Sequence, residues 1–135
     1  MVAIEIDKIL NNSQVILLGS AVVADEINSV LLKLSLLTDC TPIKFIQLLT
    51  GKSDVNLLKM FTESDSRFIK AMCKIIKDWG GFLGDRDNLL RIHGSRDLVI
   101  TCPKDCLRIE KAGHLIAMTH ALECQALLNQ RIMIS

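Results

Sequence analysis

Two short segments of the chain hold residue types that could do acid–base chemistry together. The first is Arg91-Ile92-His93-Gly94-Ser95-Arg96-Asp97, an apolar run ending in a His-Gly turn with an aspartate three residues past the glycine. The second is Glu110-Lys111-Ala112-Gly113-His114-Leu115, in which a Gly-His turn opens a helical pattern. An aspartate that accepts the Nδ1 hydrogen of a histidine fixes the imidazole tautomer and stabilises its protonated form. Asp97 and His114 are therefore candidates for orienter and base. Taken singly, each has a plainer role, since an aspartate after a strand is more often a turn former. Their order at the ends of successive strand candidates favours the pair.

The remaining polar candidates read more simply. His93 is expected to be structural, holding the turn that contains Asp97. His120, on the last helical segment, reads as a surface or packing residue, and Asp105 is a reserve acid. Lys70, Lys74 and Lys77 form a solvated face rather than a phosphate site. Five cysteines are an odd number, and Cys102, Cys106 and Cys124 lack the paired spacing of a zinc site. Reduced, mostly buried thiols are expected, with no metal and no organic cofactor.

These residues must be positioned by a framework, and the bulk properties bound it. With 135 residues the chain suits one domain with a real core. Half of it is apolar, aromatics make up only 4%, and mean hydropathy is +0.35. Disorder requires the opposite balance. The excess of aliphatic residues leaves apolar surface suited to facing other protein. A net charge of +1 gives nucleic acid or an anionic membrane no bulk attraction. The apolar run Val15 to Ala24 is far short of the roughly 18–20 residues that span a bilayer. Glu5, Asp7 and Lys8 interrupt residues 1–14, so these do not read as a signal peptide. No membrane association and a cytoplasmic location are expected.

Hydrophobic period then supplies the elements. Apolar residues at 2, 6, 9 and 10 predict an amphipathic helix over 2–10 whose inner face is Val2, Ile6, Ile9 and Leu10. Val15-Ile16-Leu17-Leu18, stopped by Gly19, reads as a strand buried on both faces. From Asp25 to Trp79 the pattern is helical, near Ile27–Leu37, Pro42–Leu49, Val55–Phe61 and Ser66–Trp79. Ser64 or Asp65 can cap the last of these, and Gly80-Gly81 ends it. Strands follow at 89–93 and 106–110, then a helix over 116–133 with Ala117, Ala121, Cys124 and Leu128 on one stripe. Strands separated by helical segments imply an α/β fold with a parallel sheet. Functional groups in such sheets gather at the carboxyl ends of the strands, where both Asp97 and His114 fall.

The pattern IHGSRD, followed by a strand and KAGH, resembles the C-terminal half of the α/β-hydrolases, whose triad runs nucleophile, acid, histidine along the chain. The resemblance covers almost all of the chain. It implies a partial α/β-hydrolase core over 1–24 and 80–135, with about three parallel strands, flanking helices and 89–93 in the middle. Residues 25–79 would be a helical cap or lid inserted after the first strand, and 2–10 the helix after the nucleophile elbow. Asp97 would be the triad acid and His114 the triad histidine, acting on a small-molecule ester or other acyl substrate.

Two departures stand out. No G-x-S-x-G occurs, so the nucleophile, whether serine, aspartate or cysteine, is expected from outside this sequence. The spacing from Asp97 to His114 is short for the family, so 101–105 must cross as a bare loop. The chain alone is therefore expected to be an inactive hydrolase fragment, the alternative being a non-catalytic binding module. The strand at 15–18 would leave an exposed edge, through which self-association is expected.

Overall fold

Three apolar runs lie side by side in a computed structural model of the protein, which describes residues 1–10, 13–30, 65–84 and 86–132. β1 (Val15–Leu18), β2 (Leu89–Gly94) and β3 (Leu107–Ile109) form a parallel sheet in the order β1-β2-β3. Val15 is opposite Leu89 and Ile92 is opposite Leu107. The class is mixed α/β, with β2 in the centre as expected. β3 is shorter than the 106–110 run: Glu110 already belongs to the turn closed by Ala112 N to Ile109 O, and Cys106 lies in the bend before the strand.

Side chains alternate across the sheet, so two clusters form. On one face Val15, Leu17 and Leu89 pack with Val22, Trp79 and Phe82 beneath Ile4 of α1 (Val2–Leu10). On the other, Leu18, Leu90 and Ile92 meet Ile109, Ala112, Ile116 and Cys124. The orientation of α1 corrects the expectation. Ile4 is fully buried, whereas Val2, Ile6, Ile9 and Leu10 are all exposed, Ile9 to 79%. A period count finds the larger apolar stripe but cannot say which side meets the sheet. Here Ile4, with half-buried Asp7 beside it, fills the contact.

α2 (Ser66–Lys77) starts at Asp65, whose side chain accepts from the Arg67 amide at 2.8 Å. It stops before Trp79, whose indole donates to Glu5 Oε1 at 2.7 Å and ties this segment to α1. Phe68 and Ile75 of its apolar stripe remain exposed. The expected C-terminal helix is two helices, α3 (Ile116–Thr119) and α4 (Ala121–Ile132), separated at His120. The Thr119 hydroxyl bonds back to the Leu115 carbonyl at 3.0 Å and contacts His120 Nδ1 at 2.8 Å. Such back-bonding competes with the helix ladder. The break resets the phase, so Ile116, Cys124, Leu127 and Leu128 face the sheet while Ala117 and Ala121 are exposed.

Residues 31–64, with most of the expected cap and Cys40, lie outside the described residues. At the start of that block, Ile27 does not open a helix. It forms an antiparallel bridge with Ile100, flanked by Asn28 N to Val99 O (2.8 Å) and Thr101 N to Glu26 O (3.1 Å). Among the described residues no helix is long and apolar enough to cross a membrane.

One buried charge holds this region to the sheet. Arg91, on the α1 side of β2, makes a two-pronged bond to Glu26 at 2.9 and 2.7 Å. Glu26 also accepts from the Val22 amide at 2.9 Å, and Asp105 lies 3.7 Å from Arg91. With the arginine side chain only 3% exposed, deleting Glu26 removes its two close bonds and leaves the buried cation only the more distant Asp105. Glu26→Ala should therefore cost about 3–5 kcal/mol, read as a lower denaturation midpoint with an unchanged denaturant slope. A shift equal to that of an exposed glutamate control would contradict this account.

Candidate functional site

Glycines let the ends of all three strands approach at backbone distance. Gly19, just past β1, has φ +55°, accepts no side chain there, and donates its amide to Ile92 O at 2.9 Å. A Cβ on it would stand 2.5 Å from the His114 carbonyl oxygen. A Cβ on Gly94, at the end of β2, would collide with the carbonyls of Ala112 and Gly113. The turn after β2 is clasped to the turn after β3 by Ser95 N to Ile109 O (3.0 Å) and Arg96 N to Ala112 O (2.9 Å). The Ser95 hydroxyl accepts from the Lys111 amide at 2.9 Å. Lys111 itself sits at φ +60°, a left-handed conformation that costs a side chain roughly 1–2 kcal/mol.

That clasp brings Asp97 and His114 together. His114 Nδ1 lies 2.9 Å from Asp97 Oδ2, and the aspartate side chain has no solvent exposure. Its other oxygen, Oδ1, accepts from the amides of Val99 (2.8 Å) and Ile100 (3.0 Å). A third partner, His93, was expected only to hold the turn. It places Nε2 3.0 Å from the same Oδ2 that meets His114. His93 is fully buried, and its Nε2 also faces the Ile100 carbonyl at 3.3 Å. The signal in the sequence was the four-residue spacing to Asp97 across a glycine turn, which the role of turn support understated.

The electrostatics follow from these contacts. Burial by itself pushes the Asp97 carboxyl up. The hydrogen bonds from His114 and His93 and the Ile100 amide outweigh it and hold the group far below the ordinary carboxylate range. An ionised carboxylate only accepts, so His114 carries a hydrogen on Nδ1, which in the neutral imidazole leaves the lone pair on Nε2. Nε2 of His93 faces two acceptors and so carries its hydrogen there. Its Nδ1 is buried without a partner among the described residues. His114 is 26% exposed. Of the two imidazoles, His114 is the one that solvent or a substrate can reach.

Other candidates lie elsewhere. Asp105 precedes β3, at the opposite end of that strand from His114, and faces Arg91. The Ser20 hydroxyl donates to Leu18 O (3.2 Å), so it and Ser95 are both turned to backbone groups. Lys74 and Lys77 are exposed. The cysteines are less buried than expected: Cys124 is buried, but Cys73, Cys102 and Cys106 are half-exposed. No group of three or more His, Cys, Asp or Glu side chains is arranged to hold a metal among the described residues. A cavity of about 300 Å³ opens beside Leu89, Arg91, Asp105, Cys106 and Arg131, at the amino ends of β2 and β3. It is not at the Asp97–His114 end.

Comparison with protein-family models, with curated proteins and with solved structures finds no match to this chain.

The depressed carboxyl has a consequence for acid stability. A free aspartate titrates near about pH 4, above the folded value of Asp97. Its contribution is complete above that pH and is lost as the pH falls toward the folded value. Unfolding free energy should thus decline with acid below about pH 4 in the native protein. Asp97→Asn should lack that component of the slope, and equal slopes in the two proteins would show that Asp97 is not the group.

Proposed function

We propose that the chain supplies the acid and the base of a hydrolase of the α/β-hydrolase type. One observation carries this reading: a buried, saturated carboxylate bonds Nδ1 of a histidine whose other side is open. Asp97 fixes the tautomer of His114 and offsets the positive charge that develops when Nε2 takes a proton. A nucleophile aligned with Nε2 would attack an ester or other acyl carbonyl. His114 would take its proton and return it to the leaving group. Backbone amides beside the nucleophile would hold the oxyanion. The parallel sheet supports the reading, because the acid follows β2 and the histidine follows β3, at the carboxyl ends of neighbouring strands. Residues 25–79 would be an aliphatic lid over the acyl group.

The nucleophile must come from beyond these residues, since the sequence has no G-x-S-x-G and the nearby serines bond to backbone. The 135-residue chain should show no turnover of activated short-chain esters above a buffer-and-imidazole background. Coding sequence upstream of Met1 should encode an elbow in frame. The joined polypeptide should then hydrolyse such esters, and His114→Ala should lower its rate by about 10⁴-fold or more. Turnover by the 135 residues alone that disappears in His114→Ala would replace the missing nucleophile with one already present. An upstream sequence without an elbow would move the reading to a non-catalytic module.

The same reading makes the free side of β1 the place where a nucleophile-bearing strand would pair. Among the described residues Val15–Leu18 is an outer strand without charge or proline, and the exposed stripe of α1 adjoins it in sequence. Unprotected edges of this kind template further pairing. The isolated chain should self-associate, seen by size-exclusion chromatography with light scattering. Val15→Lys would unfold the core, so Ile9→Lys on the exposed stripe is the informative variant. It should shift the population toward monomer, and a wild-type chain that is already a clean monomer would refute the idea.

A further inference from the structure

The connection from β2 to β3 brings two thiols into contact. Cys102 and Cys106 bracket Pro103-Lys104-Asp105, and their sulphurs are 3.8 Å apart. Both lean on one carbonyl: Cys106 Sγ donates to Pro103 O at 3.1 Å, and Cys102 Sγ lies 3.8 Å from the same oxygen. Arg108 reaches that oxygen at 3.4 Å from the far side. Both thiols are half-buried and so reachable by a small reagent. The approach is imposed by the fold. Thr101 on one side donates to Glu26 O, and Leu107 on the other is paired with Ile92 in the sheet. Proline fixes one backbone angle between them.

We infer that Cys102 and Cys106 form an oxidisable dithiol, closed to a disulfide by a small-molecule disulfide such as oxidised glutathione. The thiolate of one cysteine attacks a glutathione sulphur and breaks the glutathione S–S bond. One glutathione leaves as a thiolate and takes up a proton. The second cysteine gives up its proton, attacks the mixed disulfide and releases the second glutathione. The pair loses two electrons and two protons, and one glutathione disulfide becomes two thiols. The sulphurs must close from 3.8 Å to about 2.05 Å, a distance that side-chain rotation within a fixed loop can cover. Burial, then the neighbouring Cys102 thiol, push the Cys106 thiol up from its ordinary value. Little Cys106 thiolate is therefore present at neutral pH, which suits a slow, persistent modification better than a fast sensor. The ring would also hold Asp105, within it, toward Arg91 at the cavity wall.

Tryptic cleavage after Lys104 makes the test direct. The reduced full-length chain is equilibrated with oxidised glutathione, quenched in acid, alkylated and digested. Asp97–Lys104 should be recovered cross-linked to Asp105–Arg108, with two of the five cysteines protected from alkylation. In Cys106→Ser no second sulphur completes the exchange, so a glutathione adduct should accumulate on the peptide carrying Cys102. Recovery of both wild-type peptides alkylated, or each with its own glutathione, would overturn the inference. So would a cross-link from either peptide to Cys73 or Cys124.

Discussion

A single buried carboxylate sets the arrangement of this fold. Asp97 has no exposed side-chain surface, and an isolated ion in that position would be costly by many kcal/mol. It is tolerated because four donors converge on two oxygens: the amides of Val99 and Ile100, and the imidazoles of His93 and His114. Each donor comes with a structural condition. The amides require the chain after Asp97 to bend back over it, which places Ile100 for its bridge with Ile27. His114 requires the turn after β3 to lie against the turn after β2. That contact is possible only because Gly94 and Gly19 present bare backbone to it.

A second buried charge works at the other end of the same strand face. Leu89, Arg91 and His93 alternate on the α1 side of β2, so this face is apolar only at its outer end. Arg91 is matched by Glu26, and His93 by Asp97. The two pairs divide the labour. Glu26 anchors the segment leaving β1, and Asp97 anchors the segment leaving β2. Because Thr101 donates to Glu26 O and Ile100 donates to Asp97, the two anchors share one stretch of backbone. A buried pair broken on one side costs more than the intact pair contributes. The segment from 22 to 28 and the loop from 97 to 101 should therefore depend on each other.

How much of this was legible in the sequence depended on the kind of signal. Short strand-length segments bounded by glycine identified all three strands: the uniformly aliphatic Val15–Leu18, and two runs in which Arg91 and Arg108 stand among leucine and isoleucine. The placement of Asp97 and His114 after successive strand candidates pointed to loops that can meet, and the two side chains are within hydrogen-bonding distance. Period alone failed where it had to choose a side. The outward stripe of α1 is larger than its buried one, and the C-terminal helix breaks where Thr119 bonds back to Leu115. The part played by His93 was hidden for a different reason. Alternation puts residue 93 on a face with leucine and arginine, and only the curl of the following turn carries Asp97 back beneath it.

The two histidines on one oxygen are not equivalent, and the difference limits what the site can do. Both donate to Oδ2, and the ionised carboxylate, with its lone pairs engaged, is poorly placed to take a proton from either. His93 turns its free nitrogen into the interior, where there is no partner among the described residues and no route for a reactant. His114 alone turns its second nitrogen toward solvent. Under the proposed hydrolase reading, proton transfer would pass through Nε2 of His114, with Asp97 remaining ionised. The carbonyl of His114 is already against Gly19 at the end of β1. In that reading a nucleophile would reach Nε2 from the open side of the ring, past the end of β1, whose outer edge has no partner strand among the described residues.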